Sequence, residues 1–109
     1  MILFKEEHAP MILSGQKTQT RRTWTNGRFR IDSIQKCKLK MISKEFFAQV
    51  RILEIRRERL GDISESDARA EGYESVGAFL KKWQSIYKNK PWLVDRDLLV
   101  WVVRFEVMP

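Results

Sequence analysis

The chain has 109 residues, 43% of them apolar, with a net charge of +7 and a pI near 9.9; this length suits one domain, 1–109, with a single core. One cysteine, Cys37, and one histidine, His8, exclude an internal disulfide and a Cys/His zinc site. No apolar run reaches membrane-spanning length, and Met1–Phe4 turns charged at Lys5 too soon for a signal peptide, so a cytoplasmic protein without membrane, metal or cofactor is expected.

Met1–Phe4 is predicted as a short strand. Ala9–Ser14 reads as a short helix with Pro10 in its first turn and Gly15 suited to the left-handed residue beyond it. Lys17–Trp24 resumes in extended form, helped by Thr18, Thr20 and Thr23, and Asn26-Gly27 signals a turn. Cys37–Met41 alternates apolar and basic residues, the pattern of a half-buried strand that turns Lys38 and Lys40 to solvent or a ligand. Phe47–Ile55 is a further strand. Its alternation slips at Leu53, leaving a bulge or a doubly buried position open there. Leu60-Gly61-Asp62 marks a turn.

Two helices follow. Ser64 and Asp67 resemble a capping box that starts a helix ending at Glu71-Gly72. Ser75 caps the next, whose Val76, Phe79, Leu80, Trp83, Ile86 and Tyr87 form one apolar stripe, read as core packing. Pro91 ends this region. Leu98–Val103 is an apolar run expected as a central strand covered on both faces, extended by Phe105 and Val107. Strands at both ends with helices inserted late suggest a small curled sheet or barrel.

The charge is uneven. Residues 1–59 hold fourteen Lys/Arg against six Asp/Glu, a net +8, whereas residues 60–109 hold seven against eight, a net −1. A basic half of this kind attracts a polyanion; a solvated, solubilising surface is the plainer alternative.

Gly15-x-Lys17-x-x-Thr20-x-Arg22 matches the G-x-K-x-x-T-x-R signature of the activating-signal-cointegrator homology (ASCH) family, a branch of the PUA-like superfamily. Asp67–Tyr73, the helix bearing Trp83 and Tyr87, and Val100–Glu106 resemble that family's later landmarks, in order, over nearly the whole chain. The resemblance implies an α+β fold: a small PUA-like β-barrel of five or six strands flanked by about three short helices. It also implies a cleft where the signature residues gather. ASCH domains are generally thought to bind RNA; one subgroup hydrolyses the acetamide of N4-acetylcytidine, and another member has been described as a ribonuclease.

By that resemblance Lys17 is the proton acceptor, Thr20 the nucleophile and Glu71 the proton donor of a hydrolase. Such chemistry needs Lys17 partly neutral, through burial or a cationic neighbour, whereas a direct pair with Glu71 keeps it charged. In a regular strand Lys17 and Thr20 point to opposite faces, so their convergence requires a bend just after Gly15. An exposed basic strand edge, with Thr20 satisfying backbone groups, is the alternative. The sequence departs from the hydrolase pattern in having Ile31-Asp32-Ser33-Ile34 where many relatives show a Gly-Asp turn. Its extra basic stretch Arg28, Arg30, Lys36, Lys38, Lys40 and Lys44 favours a larger polyanion.

The favoured reading is an RNA-binding module engaging a nucleotide or a single strand around the signature. Gly15 supplies the turn, Lys17, Arg21 and Arg22 contact phosphate, Thr20 and Glu71 contact polar edges, and Trp24 stacks on a base or else packs at the core edge. Lys38 and Lys40 add to the basic surface. The alternative is an amidohydrolase of a modified nucleoside; a ribonuclease lacks a histidine pair, and an adaptor using the helix face is the non-nucleic-acid option. His8 is assigned a surface or helix-capping role, Cys37 a buried inert thiol, Trp92 a packed corner with an exposed platform as the alternative, and Trp101 a core position.

Overall fold

A computed structural model describes all residues, 1–109. Five strands, β1 (Ile2–Leu3), β2 (Gln19–Arg22), β3 (Ile34–Lys38), β4 (Ala48–Arg59) and β5 (Leu99–Val107), form one sheet in the order β1-β3-β4-β5-β2. β1 runs parallel to β3 and every other pairing is antiparallel. The edge strands β1 and β2 do not pair with each other. The Arg22 guanidinium bridges them instead, donating to the Leu3 carbonyl at 2.6 Å, so the sheet is a half-barrel with a side-chain seam.

The three helices are α1 (Ala9–Leu13), α2 (Glu65–Ala70) and α3 (Val76–Ile86). The Ser64 and Ser75 hydroxyls accept from the Asp67 and Ala78 amides, capping α2 and α3, as their sequences predict. β4 has its register shift between Ile52 and Glu54, at the expected Leu53. The third strand ends at Lys38, because Leu39–Ile42 turns away in a loop instead of continuing the alternation.

β5 separates two apolar clusters. Val103 and Phe105 face one, with Ile2, Ile12, Cys37, Val50 and Ile52 inside the half-barrel. Val100 and Val102 face the other, with Ala68, Phe79 and Trp83 of the helices. Burying both faces explains the nearly unbroken apolar run from Leu98 to Val103.

Three sequence expectations need correction. Trp101 is only partly buried: the Arg57 guanidinium covers it at 4.5 Å, and its indole nitrogen has no partner. Trp92 is 65% exposed rather than a packed corner, because Trp83 takes the interior position and donates its indole N–H to the Leu93 carbonyl. His8 stands at the N-cap position of α1 but its side chain makes no capping bond; instead it is half-buried against Tyr73, its Nε2 3.3 Å from the phenol oxygen.

Candidate functional site

The signature segment is bent before it becomes a strand. Gly15 has φ +81°, and β2 begins only at Gln19, so strand alternation does not govern Lys17. The Lys17 amide donates to the Met11 carbonyl and the Thr18 amide to the Ala70 carbonyl. These bonds pin the loop to both α1 and α2. Within β2, Thr20 lies opposite Val103 and Arg21 opposite Val102, which sends Thr20 and Arg22 into the half-barrel and Arg21 towards the helices.

Lys17 is 2% exposed. Its Nζ donates to the Glu71 carbonyl at 2.8 Å and to Glu71 Oε1 at 3.3 Å. Burial lowers the lysine pKa, with help from the Arg22 and Arg21 charges, and the Glu71 carboxylate opposes the shift. The other Glu71 oxygen accepts from Arg21 at 3.0 Å.

Arg21 is wholly buried and also donates to Gln19, Glu58 and Asp67. Arg56 closes the group by pairing with Glu54, Glu58 and Asp67. Glu71 is thus held at the end of an ion network on the helix-facing side of the sheet. Thr20 belongs to a different pair, its hydroxyl accepting from Arg22 Nε at 3.0 Å; no hydrogen bond joins it to Lys17. The Arg22 guanidinium lies over the Phe4 ring at 4.9 Å.

Both pairs open on one cavity of about 150 Å³ between the half-barrel and α3. Lys17, Thr20, Arg22 and Glu71 are among its polar lining groups, and Phe4, Tyr73, Phe79, Trp83 and Tyr87 supply aromatic rings. That volume is the space of a single six-membered aromatic ring. His8 lines it too, its pKa pushed down to about 4 by burial and by the Lys17 charge, so at neutral pH it is an uncharged polar group. The residues include no cluster of His, Cys, Asp and Glu arranged for a metal ion.

No family model matches the chain, and no curated protein matches it in sequence. Solved structures do match in shape. An ASCH domain from Lactobacillus crispatus JV V101 superposes with a TM-score of 0.72, covering 91% of this chain and 69% of its own at 15% identity. The chain has the ASCH fold. Protein EF3133 from Enterococcus faecalis V583 (family model DUF984) gives a TM-score of 0.69 over 94% of this chain and 70% of its own at 17% identity. The hypothetical protein PH0355 gives 0.71 over 98% and 96% at 16% identity.

On this ASCH fold the residues singled out in sequence divide into two groups. Gly15 is exposed and turns the chain into the signature from outside the cavity, while Lys17, Thr20, Arg21, Arg22 and Glu71 come together at it. Trp24, Lys38 and Lys40 do not. Trp24 packs edge-on against Phe29 and under Arg28, Lys38 donates to the Ser43 carbonyl, and Lys40 stands in the exposed loop after β3. Arg21 lines the cavity but its terminal nitrogens are engaged by Gln19, Glu58, Asp67 and Glu71. The sequence reading missed His8, Tyr73 and the cavity-facing rings of α3. The apolar stripe of α3 was visible, but a stripe alone does not tell core from cavity wall.

Proposed function

We propose that the cavity receives a single base of a nucleotide or single-stranded RNA. One observation carries the reading: a ring-sized space is lined both by aromatic side chains and by a hydrogen-bonded set of polar donors and acceptors. Unstacked bases are recognised in this way, by aromatic contact plus hydrogen bonds to one edge. The Lys17 ammonium, the neutral His8 ring and the Thr20 hydroxyl offer donors, and Glu71 offers an acceptor for an exocyclic amino group. A cavity of this size encloses the base and leaves ribose and phosphate outside, beside the exposed Lys5. The strongly basic amino-terminal half favours that polyanion.

Calorimetric titration with cytidine 5′-monophosphate and pentacytidylate RNA at two salt concentrations tests this. The expected result is binding of both, weakened by Tyr87→Ala. Affinity for the RNA should fall by about 0.7 log units per log unit of salt for each phosphate neutralised. Absence of binding at low salt would sink the proposal.

A second reading, hydrolysis of an N4-acylated cytidine, is favoured by the burial of Lys17, which lowers its pKa although Glu71 opposes the shift, on the same cavity as Thr20 and Glu71. Passing the Lys17 proton to Glu71 across their 3.3 Å contact creates a neutral amine and a carboxylic acid together. The amine then takes the Thr20 hydroxyl proton as Thr20 Oγ1 attacks the amide carbon, and Glu71 returns a proton to the departing amino group. Water later hydrolyses the Thr20 ester, releasing the acid. Turnover of N4-acetylcytidine that is lost in Thr20→Val supports this reading; inert wild-type protein removes it.

A further inference from the structure

Behind the cavity wall lies a second hollow of about 290 Å³, lined by Leu39, Lys40, Ser43, Glu45, Phe46 and Phe47. One pair of rings separates the two spaces: Phe4 lines the first, Phe47 the second, and their centroids are 6.2 Å apart, edge to face. Both rings are fixed by neighbouring carbonyls of β3, since the Phe4 amide donates to Lys38 and the Phe47 amide to Cys37. The loop between β3 and β4 also leaves apolar surface in water. Phe46 is 44% exposed and Ile42 is 96% exposed, a cost that an isolated domain has no packing reason to bear.

We propose that this loop is a second base subsite, taking the nucleotide next to the one held in the cavity. The inference rests on the cavity reading above and sharpens it: the ligand is a single strand of at least two nucleotides. The Lys36 ammonium covers one face of Phe46 at 5.0 Å from the ring centre and the partly exposed ring leaves its other face for stacking, so a base platform and a phosphate partner come together. Lys36, Lys40 and Lys44 are exposed, and none is held in an ion pair. Glu45, the one acid lining the hollow, is an acceptor for the amino group of cytosine or adenine. Ser43 accepts from the Glu45 amide, and its carbonyl takes the Lys38 ammonium, so the loop is braced.

The test compares pentacytidylate RNA with cytidine 5′-monophosphate on the whole protein. Phe46→Ala and Lys40→Glu, both at exposed loop positions, are expected to weaken the RNA by about tenfold or more and to leave the monophosphate unchanged. RNA affinity unaffected by either substitution overturns the subsite. Loss of RNA affinity in Phe46→Ala alongside a monophosphate that never binds would keep the loop as a strand contact and remove the cavity reading. Cosedimentation with 4:1 phosphatidylcholine–phosphatidylserine vesicles that is abolished by Ile42→Ser, with RNA binding untouched by Phe46→Ala, would assign the loop to a membrane surface instead.

Discussion

Lys17 and Glu71, far apart in sequence, meet twice: the lysine Nζ donates to the glutamate's main-chain carbonyl at 2.8 Å and to its carboxylate at 3.3 Å. The main-chain bond fixes the lysine at the end of α2 whatever the carboxylate does. Glu71, in turn, is shared with Arg21.

This sharing makes the two partners unequal. Glu71→Gln removes the carboxylate that Lys17 pairs with and leaves a buried ammonium beside Arg21, which keeps Glu58 and Asp67, so it is expected to cost about 3–5 kcal/mol. Lys17→Met removes a cation whose partner still has Arg21 and whose acceptor carbonyl lies at a helix end, so the loss should be clearly smaller. Urea denaturation of both variants checks the order.

Arg21→Met is expected to be as damaging as Glu71→Gln, at about 3–5 kcal/mol. It takes away the buried cation that joins Glu58, Asp67 and Glu71 and leaves these three acids with only Arg56 and Lys17 as partners. Arg21→Lys should rescue only part of this loss, because one ammonium cannot span acceptors that the guanidinium reaches with two nitrogens. The same unfolding experiment reads both.

His8 gives a pH signature. Its folded pKa of about 4 lies below the unfolded value of about 6.5, so the unfolded chain binds the extra proton between those values. Stability therefore falls as pH drops from about 6.5 to 4, by well under about 1.4 kcal/mol per pH unit because the ring is half exposed. His8→Gln should flatten the profile in that window. Denaturant midpoints at pH 7 and 4.5 for the two proteins measure the difference.

The two left-handed glycines at the site differ in surroundings. A Cβ on Gly15 meets nothing within 4 Å, whereas one on Gly72 falls 2.7 Å from Met11 Sδ. Gly15→Ala should cost about 1–2 kcal/mol from backbone strain alone. Gly72→Ala should cost more, and it should weaken cavity ligands, because Met11 accepts the Lys17 amide hydrogen bond at its carbonyl. Melting temperatures and ligand titrations on the pair test this contrast.

The features legible in the sequence were those set by a few neighbouring residues. The capping serines, the slip at Leu53, the glycine turn before Lys17 and the two-sided burial of β5 all follow from local chemistry or periodicity. The convergence of Lys17 with Glu71 was reachable only through family resemblance. Lys38 and Lys40 read as part of one basic surface because charge is counted along a chain, but neither lines the cavity: Lys38 is bonded to the Ser43 carbonyl and Lys40 stands in the loop after β3. His8 and the rings of α3 gain their place from packing across the molecule, where α3 meets the start of the chain beside β1. Nothing in their immediate neighbours signals that contact.

The cavity draws on β1, the turn before α1, the signature, the end of α2 and α3, while the β4–β5 ladder that brings them together pairs Arg59 with Leu99 across the whole helical insertion. No fragment of the chain holds more than part of it. Anything that occupies the cavity therefore binds only the finished molecule and must raise its melting temperature, by an amount set by about 2.7 kcal/mol of added stability at a concentration of 100 times Kd. A thermal scan of nucleosides, nucleotides and short RNAs can thus rank ligands before any reaction is known.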